Sequence, residues 1–214
     1  MKTAKDRNYT KQKILLWFFI IAYSAFGLYN FFAYGSQLYE YFFISVFFLV
    51  IFFWIKRFKL SSSIIILMAL VPFLHTVAMI PFFVNGEEFT IYNSQFNYQF
   101  DFITHVAGFV IASLIALQII YNKNKKVKVW VLTAVFFALI GLGACFEQCE
   151  FYGYYVFGFG KGTFHFGEGD NSANFGPWGD SMTDITANII GIMIGYLLHF
   201  GSLRIRRAIS EKNS

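Results

Sequence analysis

The stretch VWVLTAVFFALIGLGACFEQCE, residues 129–150, decides the fold of this chain. Its first eighteen residues carry no charge, and an α-helix needs about 20 such residues to cross the core of a bilayer. Two acids, Glu147 and Glu150, follow directly. A helix this apolar belongs in a membrane, and acids at its end indicate a role beyond contact with lipid.

Five further apolar runs of similar length lie in the 214 residues, of which 57% are hydrophobic and only 14% are charged. We therefore predict an all-α, polytopic membrane helix bundle, because little sequence remains for a separate soluble domain. Residues 1–214 are expected to form a single integral membrane domain. The six predicted spans are residues 14–33, 38–55, 63–84, 102–121, 129–146 and 184–203. The first is interpreted as an uncleaved anchor, because its apolar run continues past the small residues that would suit a signal peptidase.

The basic residues indicate how the spans are oriented. Of the 17 Lys and Arg residues, all except Lys161 lie before span one, between spans two and three, between spans four and five, or after span six. The positive-inside rule places these segments, and with them both termini, in the cytoplasm. The net charge of +5 then reflects topology and attraction to anionic lipid headgroups. The chain has no aromatic-basic motif, so we expect membrane lipid and no nucleic acid as a partner.

Spans four and six repeat one pattern of polar and small residues. Two polar residues four positions apart are followed by small residues at offsets seven and eleven: Asp101, His105, Gly108 and Ala112 in span four, and Asp184, Asn188, Gly191 and Gly195 in span six. These offsets follow one face of a helix. Small residues at a spacing of four allow membrane helices to pack closely, so each span is predicted to turn this face toward the bundle.

The predicted topology brings polar residues from three spans to one depth near the outer boundary of the bilayer. These residues are Asp101, His105, Glu147, Glu150, Asp180 and Asp184, with Asn188 one turn deeper. His75 can face the same space, although on its own it is interpreted as a packed, hydrogen-bonded histidine. Asp170 is a further candidate polar residue of the site. It lies in the outer loop, residues 151–180, which is rich in glycine and aromatic residues and is expected to form tight turns.

This polar cluster suggests a bound cation. So many carboxylates at one depth cannot remain charged, dry and unpaired, and no Lys or Arg is predicted at that depth. Carboxylates with one imidazole suit Mg²⁺, Mn²⁺, Ca²⁺ or, less often, Zn²⁺. The predicted metal ligands are Asp101, His105, Glu147, Glu150, Asp180 and Asp184. Where it is not itself a ligand, His105 is the candidate general base for catalysis.

Several of these acids also have a structural interpretation. Asp101 and Asp180 fit helix N-caps, and the pair formed by Ser181 and Asp184 fits a capping box. Glu147 and Glu150 fit a capping role poorly, because acids at a helix C-terminus oppose the helix dipole. The case for function is therefore stronger for the acids of span five than for the others.

The combination of motifs resembles the YjdF-type bacterial inner-membrane proteins over roughly residues 99–196. The motifs that carry this resemblance are Asp101-x3-His105, Glu147-x2-Glu150, Gly-x-Gly-Asp170 and Asp180-x3-Asp184-x3-Asn188-x2-Gly191. The chain is more distantly similar to the VanZ-like family, although it lacks the Arg that usually precedes the last acidic helix there. The resemblance implies a multi-pass protein of the bacterial inner membrane. The YjdF-type family has no assigned activity, so the resemblance names no reaction.

Three functions fit these features. The leading hypothesis is a metal-dependent membrane enzyme, a hydrolase or transferase, with its site on the extracytoplasmic side at the height of lipid headgroups. Its substrate would be a lipid or a lipid-linked molecule. The first alternative is a cation or proton transporter or sensor, although the inner halves of spans four to six hold no acid and show no continuous polar path. The second alternative is a structural module in which the cation joins three helices.

Overall fold

The computed structural model describes residues 4–34, 38–78, 82–84, 87–89, 97–124, 126–157 and 176–212. Its elements in chain order are α1 (Ala4–Tyr34), α2 (Leu38–Phe58), α3 (Ser62–Ala78), β1 (Phe82–Val84), β2 (Glu87–Phe89), α4 (Asn97–Lys123), α5 (Val129–Phe157) and α6 (Gly176–Lys212). The predicted helical membrane bundle is confirmed, with the addition of one small hairpin that the sequence analysis did not anticipate.

Four of the helices are long and apolar enough to cross a membrane. Their qualifying segments are Tyr9–Tyr29, Gln99–Lys123, Val129–Cys149 and Trp178–Ile205. The apolar stretches identified in α2 and α3, Ile44–Ile55 and Ser62–Leu74, are shorter. Helix α2 as a whole has 21 residues, which at 1.5 Å per residue gives a length of about 31 Å, close to the thickness of a bilayer core.

The predicted end of span three, at residue 84, is wrong. Helix α3 ends at Ala78, and Phe82–Val84 forms strand β1 of an antiparallel hairpin. In this hairpin Phe82 pairs with Phe89. The sequence explains why the helix does not continue, because Pro81 has no amide hydrogen and disfavours a helical conformation in the residue before it.

The predicted outer loop at residues 151–180 is too long. Helix α5 continues to Phe157, and α6 already begins at Gly176. Pro177 suits the first turn of α6, where a backbone amide has no partner within the helix. Residues 158–175 lie outside the described part of the chain, and Asp170 lies among them.

The longer helices also overturn the structural interpretation of the acids. Asp101 follows the start of α4 by four residues, and Asp180 follows the start of α6 by four residues. Neither is an N-cap, and Asp184 is too far inside α6 for a capping box. Glu147 precedes the end of α5 by ten residues, so the dipole argument does not apply to it.

The bundle has an apolar half and a polar half. Helices α1, α2 and α3 share a hydrophobic core with part of α4, in which Leu16, Phe48 and Ile65 are fully buried. Two hydrogen bonds to backbone carbonyls support this half: Tyr23 Oη donates to Ala69 O at 2.6 Å, and Gln12 Nε2 donates to Leu60 O at 2.6 Å. The other half is formed by α4, α5 and α6, and α4 packs more extensively against α6 than any other described pair of elements.

Candidate functional site

Glycines of α6 allow its backbone to approach α4 closely. A Cβ atom at Gly191 would overlap the backbone carbonyl oxygen of Val106, and one at Gly195 would lie 2.6 Å from the Cβ of Ser113. No side chain fits in either place without a shift of the helices. The small-residue face of α6 therefore turns toward the bundle, as predicted, and the helix it meets there is α4. This approach positions the polar residues one turn above.

The small residues of α4 have a different neighbour. In the described part of the structure, a Cβ atom at Gly108 would meet only the side chain of Val71 in α3, at 3.9 Å, which is ordinary van der Waals contact. Ala112 lines an apolar cavity on the same side. The shared pattern of spans four and six therefore does not produce two matching faces, because α4 lies between α3 and α6 and contacts both.

His105 connects the three helices of the polar half. Its Nδ1 atom lies 3.1 Å from Oδ1 of Asn188 in α6 and 3.4 Å from Oε1 of Glu147 in α5. Asn188 Nδ2 in turn donates to the same Glu147 oxygen at 3.5 Å. Because both neighbours of Nδ1 are oxygen acceptors, the arrangement is satisfied when Nδ1 carries the proton. The lone pair of Nε2 then faces away from Glu147 and Asn188.

A glycine that the sequence analysis did not single out makes room for this network. A Cβ atom at Gly143 would lie 2.9 Å from Nδ2 of Asn188 and 3.0 Å from Cζ of Phe109. The signal was present in the sequence, because Gly143 precedes Glu147 by four residues and so shares its helix face. In this protein, the small residue one turn from Glu147 leaves the space that the side chain of Asn188 enters.

Asp101, His105 and Asp184 form a compact cluster on the other side of the imidazole. Each offers one potential ligand atom, and these three atoms all lie within 4.8 Å of one another. The His105 Nε2 atom is 3.7 Å from Asp101 Oδ1. The side chain of Asp184 is 3% exposed, while that of Asp101 is 23% exposed, so the cluster is buried on the α6 side and accessible through Asp101.

Negative charge is concentrated around Asp184. Its side chain makes a hydrogen bond with Asp101, and the carboxyl groups of Asp101, Asp180 and Glu147 are close enough to repel it electrostatically. Glu147 and Asp180 are themselves buried, with exposures of 1% and 4%. Among the described residues, Asp184 Oδ2 is a buried oxygen without a hydrogen-bond partner. Two ionised carboxylates cannot hydrogen-bond to one another, so the arrangement requires a proton or a cation between them.

The structure brings together most of the residues that the sequence nominated. The polar residues placed at the α4–α5–α6 interface are Asp101, His105, Glu147, Asp180, Asp184 and Asn188. Glu150 and His75 belong to helices α5 and α3, but their side chains lie outside the described part of the structure, as does the whole of Asp170. The metal role predicted for Glu150 and the site roles predicted for His75 and Asp170 remain predictions.

Comparison with protein families accounts for nearly the whole chain. The model of a family described as a predicted membrane protein, DUF2238, matches residues 12–204. The chain belongs to this family. The predicted resemblance to YjdF-type membrane proteins is thereby confirmed, whereas the more distant resemblance to VanZ-like proteins receives no support. A search of curated proteins and a search of solved structures found no similar protein. The DUF2238 protein is therefore a membrane protein whose family membership names no reaction.

Proposed function

We propose that this DUF2238 protein binds a divalent cation at Asp101, His105 and Asp184 and uses it to act on a lipid or lipid-linked substrate. The observation that carries the proposal is the cluster of three potential ligand atoms within 4.8 Å. The buried Asp184 Oδ2, which lacks a hydrogen-bond partner among the described residues, supports it further. A buried carboxylate oxygen in this position is stabilised by a cation that it can coordinate.

The surrounding residues divide into ligands and supports. We assign Asp101, Asp184 and His105 Nε2 as the first ligands, with Asp180 as a further carboxylate close to the site. Glu147 Oε1 lies 3.4 Å from Nδ1 of His105, a position that fits the role of a carboxylate that fixes the orientation of a ligating imidazole. This refines the sequence-based hypothesis that treated Glu147 as a direct ligand.

The depth of the cluster supports a lipid substrate. Asp101 and Asp184 lie close to the first residues of the membrane-crossing segments Gln99–Lys123 and Trp178–Ile205. The site is therefore near one face of the bilayer, at the level of headgroups and their phosphate and ester groups. The distribution of Lys and Arg supports the extracytoplasmic face of the inner membrane. At this level a cation polarises a phosphoryl or carbonyl oxygen or activates water for hydrolysis.

The ligand set restricts the metal without fixing it. Carboxylate oxygens predominate, which favours Mg²⁺, Mn²⁺ or Ca²⁺, and one imidazole also admits Zn²⁺. Where the carboxylates alone hold the cation, His105 Nε2 is placed to take a proton from water or from a substrate hydroxyl group. Asp101 lies beside it at 3.7 Å, close enough to stabilise the imidazolium that results.

Proton transport is the second candidate function, and one contact favours it. The hydrogen bond between Asp101 and Asp184 requires one shared proton when no cation is bound. A site that exchanges a proton for a cation is a feature of coupled transporters. A purely structural cation that joins α4, α5 and α6 would be held by the same ligands. A protein with this role differs from an enzyme and from a transporter because it shows neither substrate turnover nor ion flux.

Metal analysis of the purified protein tests the proposal. We expect close to one equivalent of a divalent metal by mass spectrometry, lost in Asp184→Asn and in His105→Gln. Glu211→Gln is the matched control, because Glu211 is an exposed carboxylate at the far end of α6. Metal-free wild-type protein that folds normally and binds none of Mg²⁺, Mn²⁺, Ca²⁺ or Zn²⁺ on titration would refute the metal site. Cation-driven proton flux in proteoliposomes would then establish the transporter.

A further inference from the structure

An open apolar cavity lies between α2, α3 and α4. Its volume is about 170 Å³. The residues that line it are Phe47 of α2, Met68 and Val71 of α3, and Gly108, Ile111, Ala112 and Ile115 of α4. None of these described residues has a polar side chain. Water would therefore find no partner among their side chains, and a cavity with this lining suits a hydrocarbon group.

The cavity begins just below the polar cluster along α4. Gly108 follows His105 by three residues and Ile115 follows it by ten, so at 1.5 Å per residue the cavity runs from about 5 to about 15 Å deeper than the imidazole. This whole stretch belongs to the membrane-crossing segment Gln99–Lys123. A lipid with its headgroup at the depth of the cluster has its acyl chains at the depth of the cavity.

The glycine in the cavity wall is not needed for helix packing. Among the described residues, a Cβ atom at Gly108 would find only Val71, at an ordinary 3.9 Å. In contrast, the close approach of α6 to α4 requires glycine at position 191. The missing side chain at Gly108 therefore leaves the cavity open. Helix α3 also presents large apolar side chains to the surroundings, since Ile66 and Phe73 are 53% and 54% exposed. Such a surface is stable in contact with acyl chains and not with water.

We propose that this cavity seats one acyl chain of a phospholipid whose headgroup lies at the Asp101–His105–Asp184 cluster. The headgroup part of this inference rests on the proposed function. The acyl-chain site narrows the substrate class to lipids with a long hydrocarbon chain. Such a lipid is recognised by the polar cluster and by the apolar cavity, which both lie along α4. The alternative occupant is a second copy of the protein, which would have to insert one of its own side chains into this cavity.

Photo-crosslinking tests the acyl-chain site in the full-length protein. The probe is phosphatidylglycerol with a diazirine midway along one acyl chain, in vesicles of phosphatidylethanolamine and phosphatidylglycerol. Gly108→Leu and Ala112→Leu each fill the cavity. Gly141→Leu is the matched control, because a Cβ atom at this exposed α5 position meets none of the described residues within 4 Å. Cross-linked peptides are mapped by mass spectrometry, and bound metal is measured in every variant.

We expect the cross-link yield in α3 and α4 to exceed that around position 141 by roughly fivefold, the preference that about ten additional van der Waals contacts provide. Both filling variants should lose this excess and the control should keep it, while the metal content stays unchanged in all three.

Equal yields at both faces, or an excess that survives both filling variants, would overturn the acyl-chain site. A cavity cross-link in a protein that binds no metal would refute the proposed function and leave the acyl-chain site standing.

Discussion

The Nδ1 atom of His105 lies 3.1 Å from the Oδ1 atom of Asn188 and so joins α4 to α6 at the polar site. The amide of Asn188 also reaches Glu147 of α5, and its side chain is 1% exposed. One asparagine therefore contacts polar groups of both other helices. Its position fixes which nitrogen of the imidazole faces the carboxylate cluster. Under the proposed function, Asn188 therefore influences metal binding without direct coordination.

Replacing Asn188 is expected to weaken both the fold and the site. Asn188→Ala leaves Glu147 and His105 without their shared partner, so the free energy of unfolding should fall by about 1–3 kcal/mol. Metal affinity should fall by roughly 10- to 100-fold, because the ligating imidazole loses its orientation. Thermal unfolding and metal titration in detergent measure the two effects. Ser202→Ala, an exposed change on the same helix, is the control. A loss of stability with unchanged affinity would contradict the orienting role.

The close approach of α6 to α4 gives a second prediction that involves no polar group. A Cβ atom at Gly191 would overlap the carbonyl oxygen of Val106, so Gly191→Ala must separate the helices and should lower the free energy of unfolding by about 1–3 kcal/mol. Gly141→Ala is the matched control, because a Cβ atom there meets nothing within 4 Å. Alanine favours a helix over glycine by up to about 1 kcal/mol, so this control should unfold at the same or a higher temperature. Equal melting temperatures for the two variants would contradict the close packing.

Sequence patterns predicted the membrane helices and most of the site because both depend on residue spacing along single helices. The apolar run at 129–146 requires a membrane helix, and a spacing of four places Asp101 and His105 on one face. Spans four, five and six cross the membrane in alternating directions and carry polar residues at the same depth, which implied a shared cluster. The structure confirms that Asp101, His105 and Asp184 come together.

The parts that sequence analysis missed depend on contacts between helices. The role of Gly143 follows from the entry of Asn188 beside it. Its spacing of four from Glu147 marks the shared helix face, but no pattern within α5 reveals which side chain enters there. The contact between Gly108 and α3 depends on where α4 lies in the bundle. The extension of α5 to Phe157 was missed because hydropathy marks the apolar part of a helix and not its continuation beyond the bilayer.

The orientation of the bundle leads to a labelling prediction. The positive-inside rule places Lys126 in the cytoplasm and the start of α6 outside. In a background with Cys145 and Cys149 changed to Ser, we expect Trp178→Cys to react with a membrane-impermeant maleimide in intact cells. Lys126→Cys should react only after lysis. Both positions are exposed, so a difference reports the side of the membrane and not burial. The reverse pattern would place the polar site on the cytoplasmic face.

Asp184 gives the sharpest test of the site, because one substitution should have opposite effects with and without metal. In the metal-free protein Asp184 must share a proton with Asp101, close to the repelling carboxyl groups of Asp180 and Glu147. Asp184→Asn removes this requirement, because its amide can donate to Asp101 without a shared proton. The metal-free variant should therefore be more stable than metal-free wild type, by an amount on the order of 1 kcal/mol.

The wild-type protein should in turn gain about 2.7 kcal/mol from metal at 100 times its dissociation constant, and the variant should gain nothing. Thermal unfolding with a chelator and with added metal measures all four states. Glu211→Gln should behave like wild type in both conditions, because Glu211 lies at the far end of α6. If Asp184→Asn instead destabilised the metal-free protein and kept the stabilisation by metal, Asp184 would be a structural hydrogen-bonding group and the cation would have to bind elsewhere.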